Sequence, residues 1–491
     1  MSGTTATFPS DPLRDADDDD QRRGIISVAG YVPYRRLDRS AIHATFGSGG
    51  GRGTRSVAGY DEDTTTMGVE AARLALRSAA GVSASQVLFA TASPAYLDKT
   101  NATTIHAALR LDEDVPALDF GGALRSGVGA LRTALQGNDT ALVVASDTRT
   151  GLPTSSDEAN GGDGAAAVLV GGPTSGPLIA ECLAAASATE EFIERWRAPG
   201  STRSKQWEER FGETKYVPLG TRAFKAALGQ AGIEAAAVDV LAVCGMHARA
   251  AKALAAKLGA TNAAAADDLS ATVGNTGTAH AALVLARALE SAQPGQVIAL
   301  VVLADGVEVL LFRTTDAVAT YRPARAVADQ IAGGAAIAYG KFLSWKGAVT
   351  VEPPRRPEPD RISASVAGRT EDWKYGFVGS KDRSTGALHL PPARVSRDGG
   401  ALDEMDAAPM ADVEGTIQII TIDRIAYSPS PPITFAIVDF DGGGRLPVEM
   451  TDCDGDALRI GDRVEMTFRK LFTADDIHNY FWKARPVPSE G

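Results

Sequence analysis

Thiols are almost missing from this sequence, which has three cysteines, Cys182, Cys244 and Cys453, in 491 residues and no paired spacing among them. That excludes a disulfide scaffold and a cysteine-based zinc site, and it fits a reducing, cytoplasmic location. No apolar run approaches the length of a membrane span. The start, MSGTTATFPSDPLRDADDDDQRR, lacks an apolar signal core and reads as a disordered acidic tail over 1–23, neither secretory nor transit peptide. Positive charge is in short supply too: 49 Lys plus Arg face 61 Asp plus Glu, a formal net charge of -12. Such a chain repels phosphate backbones, which argues against general nucleic-acid binding. What remains is ordinary globular material, 44% hydrophobic and 22% charged. Its length suggests about three domain-sized units.

From Gly24 onward, apolar β-rich runs alternate with Ala-rich helical stretches. GIISVAGYVP, QVLFATAS, VPALDF and TALVVASD read as strands, and TTTMGVEAARLALRSA, NATTIHAALRL and SGVGALRTALQG as helices between them. A second cycle begins near Leu178, with VDVLAVCGMH, GQVIALVVLA and EVLLFRTT as strands. This pattern predicts a layered α/β domain of two βα halves, 24–172 and 173–316. Residues 317–364 read as a helix and a Pro-rich linker, VEPPRRPEPD. Short strands separated by Gly, Pro and Asp turns then predict a small all-β barrel of OB type over 411–491.

The motifs YDEDTTTMGVEAA, DFGGALRSGVGAL, VVASDTR, GDGAAAVLVG, FIERWR, GMHARAAKALAAKLG and VGNTGTAHAAL occur in this order. With that order and spacing, the first 315 or so residues resemble the hydroxymethylglutaryl-CoA synthase branch of the thiolase superfamily. The tail, with IAYGKFLSWKG, EPPRRPEP, HLPPARV, GTIQIITI and YFWKARP, resembles the DUF35 module, a zinc ribbon followed by an OB-fold. The resemblance implies a thiolase-like αβαβα domain at about 24–316, a degenerate ribbon over 365–410, and an OB-fold beyond it. It also implies an acyl-CoA thioester as substrate. The expected assembly is a homodimer through the first domain, or a heteromer with a thiolase-like partner.

Chemistry next to a thioester needs a base for the α-proton, donors for the oxyanion, and usually a cysteine that carries the acyl group. Glu62 in DEDTTT matches the family's acid/base glutamate, although acids at a helix start are also favoured by the helix dipole. His247, after strand VDVLAVCGM, matches the catalytic histidine, and a capping role would suit the same place. Asn275 in VGNTG matches the asparagine that donates to the thioester oxygen, and Asn is also a good helix cap. His280, one turn later, reads as structural.

The nucleophile is absent. Alignment on SGVGAL puts the family's cysteine at Leu124, and a shift of two residues lands on Gly122; neither carries a thiol. Cys244 reads as a buried apolar residue, and Ser126 has no visible base beside it. The ribbon departs as well. Its four cysteine positions read Asp382, Thr385, Ser396 and Gly399, which cannot make a tetrahedral zinc site, so no metal is expected. Three readings stay open. The first is an aldol, retro-aldol or Claisen-type enzyme that forms no acyl-cysteine, with Glu62, His247 and Asn275 as its polar groups. The second is a conventional condensing acyltransferase with another nucleophile. The third is a non-catalytic CoA-binding subunit beside an active homologue.

Overall fold

A computed structural model of the chain describes residues 22–487. The expected tail, 1–23, falls outside them except for Arg22 and Arg23. Ten strands build the central sheet. In chain order these are β1 (Gly24–Tyr31), β2 (Gln86–Thr91), β3 (Ala117–Gly121), β4 (Ala141–Asp147), β5 (Gly164–Gly171), β6 (Ala180–Ala188), β7 (Val240–Gly245), β8 (Ala264–Ala265), β9 (Val297–Leu303) and β10 (Val307–Thr314). The first five lie side by side as β3-β2-β4-β5-β1, and the second five repeat that order as β8-β7-β9-β10-β6. Strand directions repeat as well: the first three positions are parallel and the last two antiparallel. The halves join where β1 pairs with β6 at Gly24 and Ile25. A Cβ on Gly24 would sit 2.2 Å from the Ala180 carbonyl oxygen, so this close join needs glycine.

The sheet is covered by α1 (Thr64–Arg77), α2 (Ala102–Leu109), α3 (Ser126–Gln136), α4 (Glu209–Ala231), α5 (Ala248–Ala255) and α6 (His280–Leu289). Strands β4 and β9 are buried at every position, which is why they read as unbroken apolar runs. Alternate residues of each serve different layers. Leu142 and Val144 pack outward with α1 and α2, while Val143 and Ala145 pack inward with α3 and α6. On β9, Ile298 and Leu300 join that same inner layer, and Val297, Ala299 and Val301 face α4 and α5. The result is the αβαβα stack expected of a thiolase-like domain. Among the described residues no helix is long and apolar enough to cross a membrane.

The segment after this domain is packed and partly helical before it becomes extended. The Tyr321 hydroxyl bonds the Val28 carbonyl, and Gln330 bridges Gly30 and Val32, so this stretch is stitched onto β1. Helix α7 (Tyr339–Trp345) then packs Phe342 and Leu343 against Leu37, Ile42 and Val57. Only from about Gly347 does the chain run exposed through its prolines.

The ribbon position holds a three-stranded sheet, β11 (Val378–Asp382), β12 (Leu388–His389) and β13 (Met405–Pro409). Its two knuckles still meet, because a Cβ on Gly399 would lie 3.6 Å from the Thr385 methyl. Hydrogen bonds close the first knuckle. The Asp382 carboxylate accepts from the Ser384 amide at 2.7 Å, the Ser384 hydroxyl at 2.8 Å and the Thr385 amide at 3.1 Å. The neighbouring Ser396 hydroxyl and these donors hold its carboxyl well below the usual range. One carboxylate, two hydroxyls and a glycine do not fit zinc, which needs four good N, S or O ligands.

The OB barrel follows as β14 (Gly415–Asp423), β15 (Ile433–Phe440), β16 (Arg445–Glu449), β17 (Arg463–Ala474) and β18 (Ile477–Pro486), arranged β16-β15-β14-β17-β18. A bridge from Met450 to Ala484 closes it. Phe468 stacks on Tyr480 at 5.5 Å and meets Trp482 edge-on at 5.4 Å, filling its centre. With hydrogen bonds closing the first knuckle, dialysis against a strong chelator should leave the thermal midpoint unchanged. Asp382→Ala lowers it, and a calorimetric scan of both samples reads the two outcomes.

Candidate active site

The site grows from three chain reversals around the central layer. The first is the turn from β3 into α3, which carries Gly122, Ala123 and Leu124. The second is the turn from β7 into α5, which carries Met246 and His247. The third is the loop into α6, which carries Asn275. A cavity of about 120 Å³ is lined by Leu124, His247, Glu194, Tyr216, Asp305 and three arginines, Arg149, Arg195 and Arg197. A smaller one of about 20 Å³ adjoins it and is lined by Leu124, Cys244, Asn275, Thr278 and His280. Leu124, Met246, Leu303 and Ala304 belong to both walls. The structure thus brings Leu124, His247 and Asn275 together.

His247 is the N-cap of α5: its Nδ1 accepts from the Ala250 amide at 3.0 Å. That bond uses the lone pair of Nδ1, so the neutral ring carries its proton on Nε2. The ring meets Tyr216 edge-on at 6.2 Å. A Cβ on Gly212 would lie 2.9 Å from Nε2 and 3.2 Å from Cγ of Glu194, so α4 can pass here only as glycine. Asn275 is fixed through both ends of its amide, Nδ2 donating to Gly245 O at 2.9 Å and Oδ1 accepting from Gly277 N at 2.9 Å. Its second amide proton has no acceptor among the described residues.

Leu124 sits two residues before α3, where the resemblance places a nucleophile. Ser126 is no substitute, since its hydroxyl donates to the Gly121 carbonyl at 2.8 Å. Cys244 lies behind Leu124 in the smaller cavity, and burial pushes its thiol up to about 12. A thiol held that far from its thiolate is inert. His280 is buried beside it, and burial lowers its pKa to about 4, so it stays neutral.

Glu62 stands elsewhere. It precedes Asp63, the true N-cap of α1, whose carboxylate accepts from Thr66 N at 2.9 Å. Glu62 lines neither cavity and lies at the seam between the two modules. There it accepts from the Tyr31 hydroxyl at 2.5 Å and from Gly59 N at 2.7 Å, with Arg469 of the barrel 3.3 Å away. Around it, Arg469 pairs with Asp452, Lys483 with Asp61 and Glu449, and Arg485 with Glu70 and Glu465. Burial raises Glu62 to about 7, against the pull of Arg469.

Glu194 is the carboxylate that sequence reasoning missed. It is 5% exposed, accepts from the Tyr216 hydroxyl at 3.0 Å, and faces the cavity beside His247. In sequence it lies in FIERWR, where it follows Phe192 and Ile193 and precedes Arg195 and Trp196. The arginines around it are unequally partnered. Arg195 pairs with Asp157, and Arg149 approaches Asp147 at 3.5 Å. Among the described residues, Arg197 donates to neutral acceptors, the Ala92 carbonyl and the Ser93 hydroxyl.

Comparison with known proteins agrees with this architecture. Residues 228–310 match the family described as 3-oxoacyl-[acyl-carrier-protein (ACP)] synthase III C terminal, and residues 408–469 match the ChsH2 C-terminal OB-fold domain. A hydroxymethylglutaryl-CoA synthase of Thermococcus gammatolerans is 33% identical over 183 residues, 35% of this chain and 52% of that protein. The match therefore spans about half the length of that curated relative. A DUF35 domain-containing scaffold protein of Methanothermobacter thermautotrophicus is 29% identical over 118 residues, 23% of this chain and 88% of that protein. The solved structure of MvaS in complex with 3-hydroxy-3-methylglutaryl coenzyme A superposes with a TM-score of 0.55 at 17% identity, covering 79% of this chain and 99% of that one. The chain thus has a thiolase-like fold. Its first domain is related to hydroxymethylglutaryl-CoA synthases, and the OB-fold module joined to it is related to DUF35 proteins.

The raised Glu62 value makes a linkage prediction. A carboxyl whose folded value lies above its ordinary 4.5 stabilises the fold most below that value and loses the contribution as pH rises through about 7. Thermal unfolding at pH 5, 6, 7 and 8 should show Glu62→Gln gaining on the native protein toward high pH. A pH-independent difference would mean that Glu62 does not titrate in this range.

Proposed function

We propose that the chain is an enzyme that makes or breaks a carbon–carbon bond beside the carbonyl of an acyl-CoA thioester, by aldol, retro-aldol or Claisen chemistry, without acylating itself. The observation that carries this is the turn into α3, which offers Leu124 rather than a nucleophile to two adjoining cavities, one lined by His247 and the other by Asn275. Leucine cannot attack a thioester, while the two remaining groups can donate to an oxyanion and assist proton transfer.

In the retro-aldol direction a base removes the proton of a β-hydroxyl, and the Cα–Cβ bond breaks to release a carbonyl compound. Its electron pair becomes the thioester enolate. The second amide proton of Asn275 stabilises the enolate oxygen, the His247 imidazole assists proton transfer, and protonation at Cα completes the step. The condensing direction reverses these transfers. Glu194, beside His247 and bonded to Tyr216, takes the acid/base role here. Glu62, to which the resemblance assigns that role, acts in this scheme on the seam. Buried Cys244 weighs against a conventional acyltransferase. Retention of His247 and Asn275 weighs against a silent CoA-binding subunit. The likeness of the OB module to a scaffold protein supports assembly with a second copy or a thiolase-like partner.

A panel of acyl-CoA and β-hydroxyacyl-CoA thioesters, followed for carbon–carbon bond products, tests the reading. His247→Ala and Glu194→Gln should each lower turnover by about 10²–10⁴-fold, whereas Glu62→Gln should lower it much less. The reverse order would return the acid/base role to Glu62. Native-level turnover in the His247 variant would place the chemistry elsewhere.

A further inference from the structure

The largest of these cavities, about 390 Å³, lies outside the site just described, between the thiolase-like domain and the OB barrel. Small-molecule sites are on the order of 300–1,000 Å³, so it has the size of a ligand pocket. One wall is aromatic: Tyr60 and Trp345 meet with ring centres 5.7 Å apart. The indole Nε1 of Trp345 is buried and has no hydrogen-bond partner among the described residues. The opposite wall, from the barrel, carries the hydroxyls of Ser430 and Thr434.

Charge in this cavity is unbalanced in one place. Lys341, on α7, holds its ammonium 5.3 Å from the Trp345 ring. Burial and the nearby Arg35 guanidinium lower its pKa. Neither cation has a carboxylate partner among the described residues, and Arg35 donates only to the Cys453 carbonyl at 3.2 Å. The acids around the cavity are nearly all committed: Asp61 to Lys483 at 3.1 Å, Asp452 to Arg469 at 2.7 Å, and Asp456 to Arg424 at 3.3 Å. Two like charges lining one cavity repel, and an anion placed between them would relieve that repulsion.

We propose that this cavity at the module seam binds a nucleoside phosphate, with the base against Tyr60 and Trp345 and the phosphate between Arg35 and Lys341. The Trp345 Nε1–H supplies a donor to the ring or sugar, and Ser430, Thr434 and the exposed Asp454 carboxylate suit ribose hydroxyls. The same chemistry has two sources, a free nucleotide or the nucleotide end of coenzyme A. The second source rests on the reading that the chain uses acyl-CoA.

Calorimetric titration with ADP, coenzyme A and pantetheine tests this without any turnover. ADP should bind saturably to the native protein, and Lys341→Glu, an exposed substitution, should weaken it by at least about tenfold. Arg35→Gln should act in the same direction. If the nucleotide end of coenzyme A is the occupant, coenzyme A binds tighter than pantetheine and Lys341→Glu removes the difference. If a free nucleotide is the occupant, Lys341→Glu weakens ADP and leaves coenzyme A unchanged. Absence of saturable binding by both ADP and coenzyme A, or binding indifferent to both substitutions, overturns the proposal. None of these outcomes depends on whether the carbon–carbon chemistry is right.

Discussion

Arg469, Lys483 and Arg485 carry three cations into the interior from the last two strands of the barrel, and the first two side chains are fully buried. A cation taken out of water costs several kcal/mol unless a carboxylate meets it. The residues that meet them lie around the start of α1: Asp61, Glu62 and Glu70. The barrel can therefore seat in one place only, where its charges find partners across the seam. Apolar packing follows the same line, since Phe468 and Trp482 of the barrel share one buried cluster with Met67 and Val69 of α1. The guanidinium of Arg73 lies 4.7 Å from the Trp482 ring, sealing the edge of that contact.

This seam has a consequence for chemistry. A glutamate at the start of α1 would be free to serve a neighbouring cavity if its charge were unclaimed. Here Tyr31 and Arg469 claim it, and the barrel covers it. The cavities lie away from Glu62, where His247 is held as the N-cap of α5 and Asn275 is held between the Gly245 carbonyl and the Gly277 amide. Under the proposed chemistry, Leu124 at the mouth of α3 means that no acyl group is carried there, and His247 and Asn275 are left to bind and polarise the thioester. In the proposed scheme Glu194, which lines the same cavity as His247, takes the role that the resemblance assigns to Glu62.

Much of this was legible in the sequence for physical reasons. Doubly buried strands such as TALVVASD must be unbroken apolar runs, so the layered domain showed itself. Leu124 was legible because a missing thiol is a local fact about one turn. The location of Glu62 was not, because its partner Arg469 lies more than 400 residues along the chain and no local pattern links them. Glu194 went unremarked for a related reason: its role depends on α4 passing at Gly212 and on Tyr216, neither of which periodicity reveals. The helix and Pro-rich run after β10 were legible, but their attachment to β1 through Tyr321 and Gln330 was not, because those partners lie about 300 residues away. The ribbon lay between these extremes. Loss of cysteine was plain, but the Asp382 hydrogen bonds that hold the knuckle required coordinates.

The central claim is carbon–carbon chemistry beside a thioester with no acyl-enzyme. Its most direct test is intact-mass measurement of the native protein, quenched in acid during turnover of an isotopically labelled acyl-CoA. The account predicts product formation with the protein at its unmodified mass at every time point. A labelled acyl adduct that forms and decays at the rate of turnover would contradict it and restore a covalent mechanism.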